Sequence, residues 1–348
     1  MKKYLVIGNP IEHSLSPLLH NHWIKKNNIN AVYEKKELQE NELKDLVLKI
    51  KEKKIDGANI TVPFKKSIIP FLDILSPEAE STQSVNTIYL KDKKIIGHNT
   101  DIDGFKKSLI LGNHKIEGKK VYILGAGGVV SSIIYALKKL KVGDIILSNR
   151  TKNKANDLKK LFHDLNIIDW GEIPNFDIVI NATSLGLNKE DKIDLDFSKL
   201  GRNKLFYDVI YNPAETNFLQ QGEKLGNNVE NGKKMFIYQA SAAFKIWHNI
   251  DPEITSDESI DTEINDSVEL EMDNTQSDNG IESVADDDIE EEVRPRKPRP
   301  RRSSPRATRS KEAFATLAPA LSSGEVSSTC PGEKSLSGTL TVTCSMAG

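Results

Sequence analysis

Val121-Tyr122-Ile123-Leu124-Gly125-Ala126-Gly127-Gly128 runs from four apolar residues straight into a glycine turn, and the helical pattern Val129–Leu140 follows at once. A strand feeding such a turn and helix lets backbone N–H groups approach a pyrophosphate at the helix N-terminus. The spacing is an incomplete G-x-G-x-x-G, because Val130 stands where a third glycine or alanine belongs. On the glycines alone, a tight βα turn without a ligand stays open.

Roughly 20 residues further on, an NAD-binding fold places an acid on the ribose 2′-hydroxyl. Here the strand Ile145–Ser148 ends in Asn149-Arg150-Thr151 instead. An acid there would repel a 2′-phosphate, whereas a guanidinium beside amide and hydroxyl donors can hold one. NADP is therefore favoured over NAD, and Arg150 is one of two arginines in residues 1–250, the other being Arg202.

Outward from that turn, apolar runs alternate with segments of helical period. Tyr4–Gly8, Ala58–Val62, Lys120–Leu124, Asp144–Ser148, Asp177–Asn181 and Leu205–Val209 read as buried strands. Leu15–Ile24, Asn41–Lys53, Val129–Leu140, Asn153–Phe162 and Lys234–His248 read as helices. Val85–Leu90 and Lys94–His98 flank Lys91-Asp92-Lys93 as a hairpin or a pair of short strands. The pattern predicts an α/β protein of two lobes with mostly parallel sheets, divided near residues 101–118.

Composition changes sharply at Asp251. Residues 1–250 hold 38 Lys+Arg against 29 Asp+Glu, a net of +9, while residues 251–348 hold 10 against 21, a net of −11, which together give the −2 of the whole chain. Asp251–Val293 carries 18 acidic residues and no base, and Arg294–Lys311 carries nine basic residues among four prolines. So little apolar surface cannot offset chain entropy, and the tail is expected to be disordered. It reads as a solvated acidic then basic segment, its Pro-Arg run being also a pattern that anionic surfaces attract.

Residues 1–250 contain no cysteine, which excludes a disulfide framework, a Cys-ligated metal and a thiol nucleophile there. Cys330 and Cys344 lie in the tail without metal-ligand spacing, and no metal is expected. No apolar run approaches the roughly 18 residues of a spanning helix, and Tyr4–Gly8 is too short for a secretory core. The expectation is a cytoplasmic protein, with no membrane partner and no nucleic acid for the core.

Polar residues gather at the ends of the predicted strands. Ser16 is placed as a helix N-cap with Pro17 at N1, and Ser14 and Ser16 beside free helix N–H groups also form a small carboxylate cradle. Asn59 and Thr61 share one side of a strand, with Lys65 just beyond its end. Reducing a ketone requires a hydride on carbon and a proton on oxygen, and an ammonium held by a carboxylate supplies the second. Lys65 and Asp101 are the pair expected to do so. Asn181-Ala182-Thr183-Ser184-Leu185-Gly186 closes another buried strand where a doubly wound sheet meets its ligand.

Nine motifs then occur in one order: GNPIEHSLSP (8–17), NITVPFK (59–65), SVNT (84–87), NTD (99–101), GAGG (125–128), NRT (149–151), NATSLG (181–186), DVIYNPAET (208–216) and GKKMFIYQA (232–240). Over about residues 4–250 the chain resembles the shikimate dehydrogenases. The resemblance implies NADPH-dependent, reversible reduction of 3-dehydroshikimate to shikimate, on the way to chorismate and the aromatic amino acids. It implies a substrate-binding and catalytic α/β domain (1–101), a Rossmann-like NADP domain (102–233), and a C-terminal helix (234–250) packing back on the first.

Carried over by motif, Ser14 and Ser16 would bind the substrate carboxylate with Tyr211 nearby. Asn59, Thr61, Asn86, Asp101 and Gln239 would hold ring oxygens, and Lys65 and Asp101 would be catalytic. Gly125, Ala126, Gly127, Gly128, Asn149, Arg150, Thr151 and Thr183 would line the cofactor. Gly232 and Met235 would lie near the nicotinamide, and Lys154 near the 2′-phosphate. Taken singly, Asn86 could turn a hairpin, Tyr211 and Met235 could be core, and Gln239 could cap a helix.

Three departures bear on the cofactor side: Ile102 where the family usually has glycine, the bulky Val129-Val130 after the glycines, and Lys233 in place of an apolar residue. Other readings are a quinate/shikimate dehydrogenase using NAD or NADP, and a non-catalytic ligand-binding homologue whose tail recruits partners. Closure of the two lobes over the substrate is expected, and self-association as a homodimer stays open.

Overall fold

β1 (Lys2–Gly8) is buried from Tyr4 onward, which suits a strand flanked on both edges and covered on both faces. The computed structural model describes residues 1–188 and 190–254. After β1 come α1 (Ser16–Lys26), β2 (Ala31–Glu37), α2 (Leu43–Lys51), β3 (Gly57–Ile60), β4 (Ile74–Leu75), α3 (Pro77–Thr82), β5 (Thr87–Lys91) and β6 (Lys94–His98). The strands form one sheet of order β2-β1-β3-β5-β6-β4.

That sheet is mixed. β1 pairs in parallel with β2 and β3, but β5 runs antiparallel to both β3 and β6. β5 is the one reversed strand of the sheet, and the chain turns back after it between β5 and β6, where Asp92 and Lys93 take φ of 50° and 62°. Two successive left-handed residues are the turn that matches strand twist in a hairpin.

α4 (Asp101–Leu111) occupies most of the interval expected to be a lobe boundary. Its Ile102, Phe105 and Leu109 fall on one helical face and enter the core of the second sheet. Ile102 sits in ordinary helical conformation and is buried, so the side chain in place of the family's glycine meets no backbone conflict. The glycine this helix does require is Gly104, where a Cβ would stand 2.7 Å from the Met235 carbonyl oxygen.

The second sheet is built from β7 (Val121–Leu124), α5 (Val130–Lys139), β8 (Ile145–Ser148), α6 (Lys152–Leu161), β9 (Asn166–Ile168), β10 (Ile178–Asn181), β11 (Leu205–Asp208), α7 (Asn217–Lys224) and β12 (Asn228–Glu230). All neighbours are parallel in the order β12-β11-β10-β7-β8-β9. The order reverses direction between β7 and β10, the switch point at which doubly wound sheets take their ligands.

α8 (Lys233–His248) is the last helix among the described residues. Its Phe236, Ile237, Ala240 and Phe244 pack with Tyr4, Val6, Trp23 and Tyr33 of the first sheet's layer. Pro252 is buried, Ile254 packs on the same cluster and Glu253 pairs with Lys26 at 3.0 Å. The expectation for the acidic and basic tail lies outside the described residues. No helix among the described residues is long and apolar enough to cross a membrane.

Candidate active site

Lys65 and Asp101 meet. Lys65 lies in the turn after β3, its carbonyl held by the Val85 N–H, and Asp101 opens α4, where a carboxylate complements the helix dipole. Lys65 Nζ stands 2.5 Å from Asp101 Oδ2, and the two side chains are only 11% and 7% exposed.

The second oxygen, Asp101 Oδ1, accepts from Asn86 Nδ2 at 2.9 Å, and the same amide donates to Thr100 Oγ1 at 2.9 Å and Gln239 Oε1 at 3.3 Å. Asn86 Oδ1 accepts the Thr100 N–H at 2.8 Å. Asn86 therefore precedes the hairpin strands without turning them, and its amide joins the Asp101 carboxylate to α8. Gln239 lies within that helix, its Nε2 donating to the Phe236 carbonyl at 3.0 Å.

Asn59 is buried in the same network. Its Nδ2 donates to the Asn86 carbonyl and to Thr87 Oγ1, both at 3.0 Å, and its Oδ1 accepts from the Tyr33 hydroxyl at 2.6 Å. Both amide hydrogens are thus committed to protein. Thr61 is half-buried one residue beyond β3, close enough that a Cβ on Gly8 would meet its methyl at 2.6 Å.

The serine cradle differs from its expected form. Ser16 is the first residue of α1, Leu15 occupies the cap position, and no side chain caps the helix. Ser14 Oγ accepts the Ser16 N–H at 3.4 Å, which sets that hydroxyl beside the start of α1. Tyr211, which follows β11, stacks on Phe236 with centroids 4.4 Å apart. Burial pushes its hydroxyl up to about 12, so it is a neutral donor at ordinary pH.

The glycine turn adjoins this cluster. Gly125 has φ +105°, and a Cβ there would lie 2.8 Å from the Ala182 carbonyl oxygen, so only glycine fits. Gly127 and Gly128 are exposed, and a Cβ on either would meet nothing nearer than 3.8 Å. At Gly128 that neighbour is the Lys65 side chain. An accessible backbone at a helix N-terminus, open on its outer face and tight underneath, fits a dinucleotide pyrophosphate.

Arg150, Thr151 and Lys154 are exposed where β8 passes into α6, and Asn149 Nδ2 donates to the Thr151 carbonyl at 2.8 Å. Thr183 Oγ1 donates to Asn181 Oδ1 at 2.7 Å and accepts the Leu185 N–H, which shapes the loop after β10. Asn181 in turn donates to Asp208, which also accepts from Thr216 Oγ1 at 2.7 Å. Burial lifts the Asp208 carboxyl to about 6, against the opposing pull of those hydrogen bonds. Gly232 lies so close to the Val209 carbonyl that a Cβ would stand 2.1 Å from it, and Met235 is buried in the core of the second sheet.

The chain matches two family models: residues 6–88 the shikimate dehydrogenase substrate binding domain, and residues 108–196 the shikimate / quinate 5-dehydrogenase domain. A shikimate dehydrogenase (NADP(+)) from Pelagibacter ubique (strain HTCC1062) is 61% identical over 256 residues, 74% of this chain and 97% of that protein. The chain belongs to the shikimate dehydrogenase family.

Other shikimate dehydrogenases agree. The Staphylococcus epidermidis RP62A protein is 38% identical over 72% of this chain and 94% of its own length. The solved Aquifex aeolicus shikimate dehydrogenase superposes with a TM-score of 0.68 at 37% identity, covering 72% of this chain and 94% of its own. A shikimate dehydrogenase solved in complex with NADP+ gives 0.70 at 33% identity, covering 77% and 96%.

Two buried participants, Tyr33 and Ser132, lie outside every motif of the sequence, and Ser84 and Asn99 enter only within SVNT (84–87) and NTD (99–101). Tyr33 is the one buried residue in a charged edge strand, which a search for apolar runs passes over. Asn99 was visible only as a neighbour of Asp101 in a polar motif.

Proposed function

We propose that this chain catalyses the reversible NADPH-dependent reduction of 3-dehydroshikimate to shikimate, with Lys65 and Asp101 handling the proton. Its place is in chorismate and aromatic amino-acid biosynthesis, in the cytoplasm. The observation that carries the reading is the 2.5 Å contact between Lys65 and Asp101, made beside the exposed Gly128 backbone.

The work divides along the chain. Residues 1–101 bind substrate, 102–233 bind NADP, and the helix within 234–250 returns Gln239 to the substrate side. Ser14, Ser16 and Tyr211 meet the substrate carboxylate with neutral donors, while Asn59, Thr61, Asn86 and Gln239 surround the ring oxygens. Because Asn59 has no spare N–H, it offers a substrate hydroxyl only a lone pair of Oδ1.

Gly125–Gly128, Asn149–Thr151, Lys154 and Thr183 hold the dinucleotide, Arg150 and Lys154 its 2′-phosphate, and Gly232 and Met235 flank its nicotinamide. Reduced nicotinamide, when bound, supplies the hydride. Lys65 polarises the ketone and delivers the proton from Nζ to its oxygen, and Asp101 holds the ammonium in line. Asn86 and the α4 N-terminus keep the carboxylate oriented. In the reverse direction the same amine takes the hydroxyl proton.

Initial rates with the purified chain test this reading. Oxidation of NADPH on addition of 3-dehydroshikimate is the expected result, with slower turnover of NADH and of quinate. Faster use of quinate with NAD would move the chain to the quinate branch, and no turnover of either would leave a binding protein.

A further inference from the structure

Asn99 is 1% exposed and cannot touch a ligand, yet its amide joins the parts on which both ligands depend. Its Oδ1 accepts the backbone N–H of Asp101 at 3.1 Å. Its Nδ2 donates to Ser132 Oγ at 2.8 Å and to the Ser84 carbonyl at 2.9 Å, with Thr82 Oγ1 also in reach at 3.1 Å. Ser132 is the third residue of α5, directly behind the glycine turn. Ser84 then carries the connection to the turn itself, its Oγ donating to the Gly128 carbonyl at 3.1 Å.

Two hydrogen-bonded arms therefore run from one buried amide to the glycine turn and to the helix it opens. The third arm ends on the carboxylate residue that holds Lys65. We infer that Asn99 is a positioning residue, and that Ser84 and Ser132 make occupation of the dinucleotide turn and alignment of the Lys65–Asp101 pair one coupled event. This rests on the dehydrogenase reading, and it adds to it a path by which each ligand alters the affinity of the other. Because Ser84 and Ser132 are buried and face protein, neither contributes an atom to substrate or cofactor in this scheme.

The test is the double variant Ser84→Ala/Ser132→Ala. It should fold, since Asn99 Nδ2 keeps two acceptors for its two hydrogens, the Ser84 carbonyl and Thr82 Oγ1, and the Gly128 carbonyl lies at an exposed residue where water can replace the lost donor. NADPH affinity is read from its fluorescence with and without saturating shikimate, a pair that cannot react together.

In the parent chain shikimate should tighten NADPH binding several-fold, and in the variant that ratio should fall toward unity. With a hydrogen bond's worth of alignment lost on each arm, kcat should drop roughly three- to tenfold while NADPH affinity alone changes by less than about twofold. A merely structural role for the serines would lower the melting temperature and leave the ratio intact. An unchanged ratio and kcat in the variant, or no coupling in the parent, overturns the inference. Absent turnover in a parent that still binds both ligands cooperatively would instead strike only the assigned reaction.

Discussion

Lys65 Nζ and Asp101 Oδ2 lie 2.5 Å apart across 36 residues of sequence, in a setting from which water is largely excluded. Such a pair is held by its partners as much as by its own attraction. Asn86 takes the other carboxylate oxygen, and Asn99 takes the backbone N–H.

Removing the amine should therefore remove the proton donor without dismantling the site. Lys65→Ala is expected to lower kcat by about a hundred- to ten-thousandfold, the usual span for a positioned general acid, with a much smaller change in KM for the substrate. Steady-state kinetics in both directions measure it. Retained turnover would take Lys65 out of proton transfer.

Arg150 is the residue proposed to hold the cofactor's 2′-phosphate. It is exposed where β8 ends, beside Thr151 and one helical turn from Lys154. Arg150→Ala should raise KM for NADPH roughly tenfold, as expected on losing a charge-assisted hydrogen bond to a phosphate, and leave NADH kinetics nearly unchanged. A parallel loss with both cofactors would argue against a 2′-phosphate contact.

Asp208 gives stability an unusual pH dependence. Its carboxyl is lifted by burial from the ordinary 3.8 to about 6. Between those values the folded chain holds a proton that the unfolded chain has released, so this group's contribution to stability falls as pH rises from about 4 to about 6, by about 3 kcal/mol in all. Asp208→Asn should abolish that slope, whatever it does to absolute stability. Urea unfolding at several pH values, parent against variant, reads the difference, and equal slopes would show that the carboxyl titrates normally.

His20 works in the opposite sense. Burial, reinforced by His248, holds its imidazole down at about 3, it stacks on Tyr33 at 4.2 Å, and both ring nitrogens lack a hydrogen-bond partner. The unfolded chain gains a proton near 6.5 that the folded chain refuses, so stability present above that pH is lost as pH falls from about 6.5 toward 3. His20→Phe should make the chain more acid-resistant, recovering about 2 kcal/mol at pH 5 relative to pH 8. Denaturation at the two pH values, alongside an NMR titration of the ring, checks both halves; an imidazole that protonates near 6.5 in the folded chain would refute the assignment.

Much of this architecture was readable from periodicity. The strands ending at Gly8, Leu124, Ser148 and Asn181 are buried on both faces, and a run of apolar residues closed by a turn residue is a local signal. β2, with one buried residue among its seven, and α7, an eight-residue polar helix, carry no such signal, because their identity depends on what they pack against. α4, which covers much of the expected division at 101–118, looks polar at its start because Asp101 and Asp103 are there, and its buried face is defined only by α8 and the second sheet.

The residue types at the site were likewise present in the linear pattern: an ammonium, a carboxylate, small hydroxyls and a glycine turn, each at the end of a predicted strand. Their chemistry is a property of the side chains and survives without coordinates. What the chain order cannot hold is which of them share a hydrogen bond, since those bonds join positions brought together from different strands and helices. Folding alone decided that Leu15 and not Ser16 takes the cap position of α1, that Asn59 spends both N–H groups on protein, and that Asn99 reaches α5. A buried polar group must find a partner wherever the packing presents one, and packing is settled by the whole molecule.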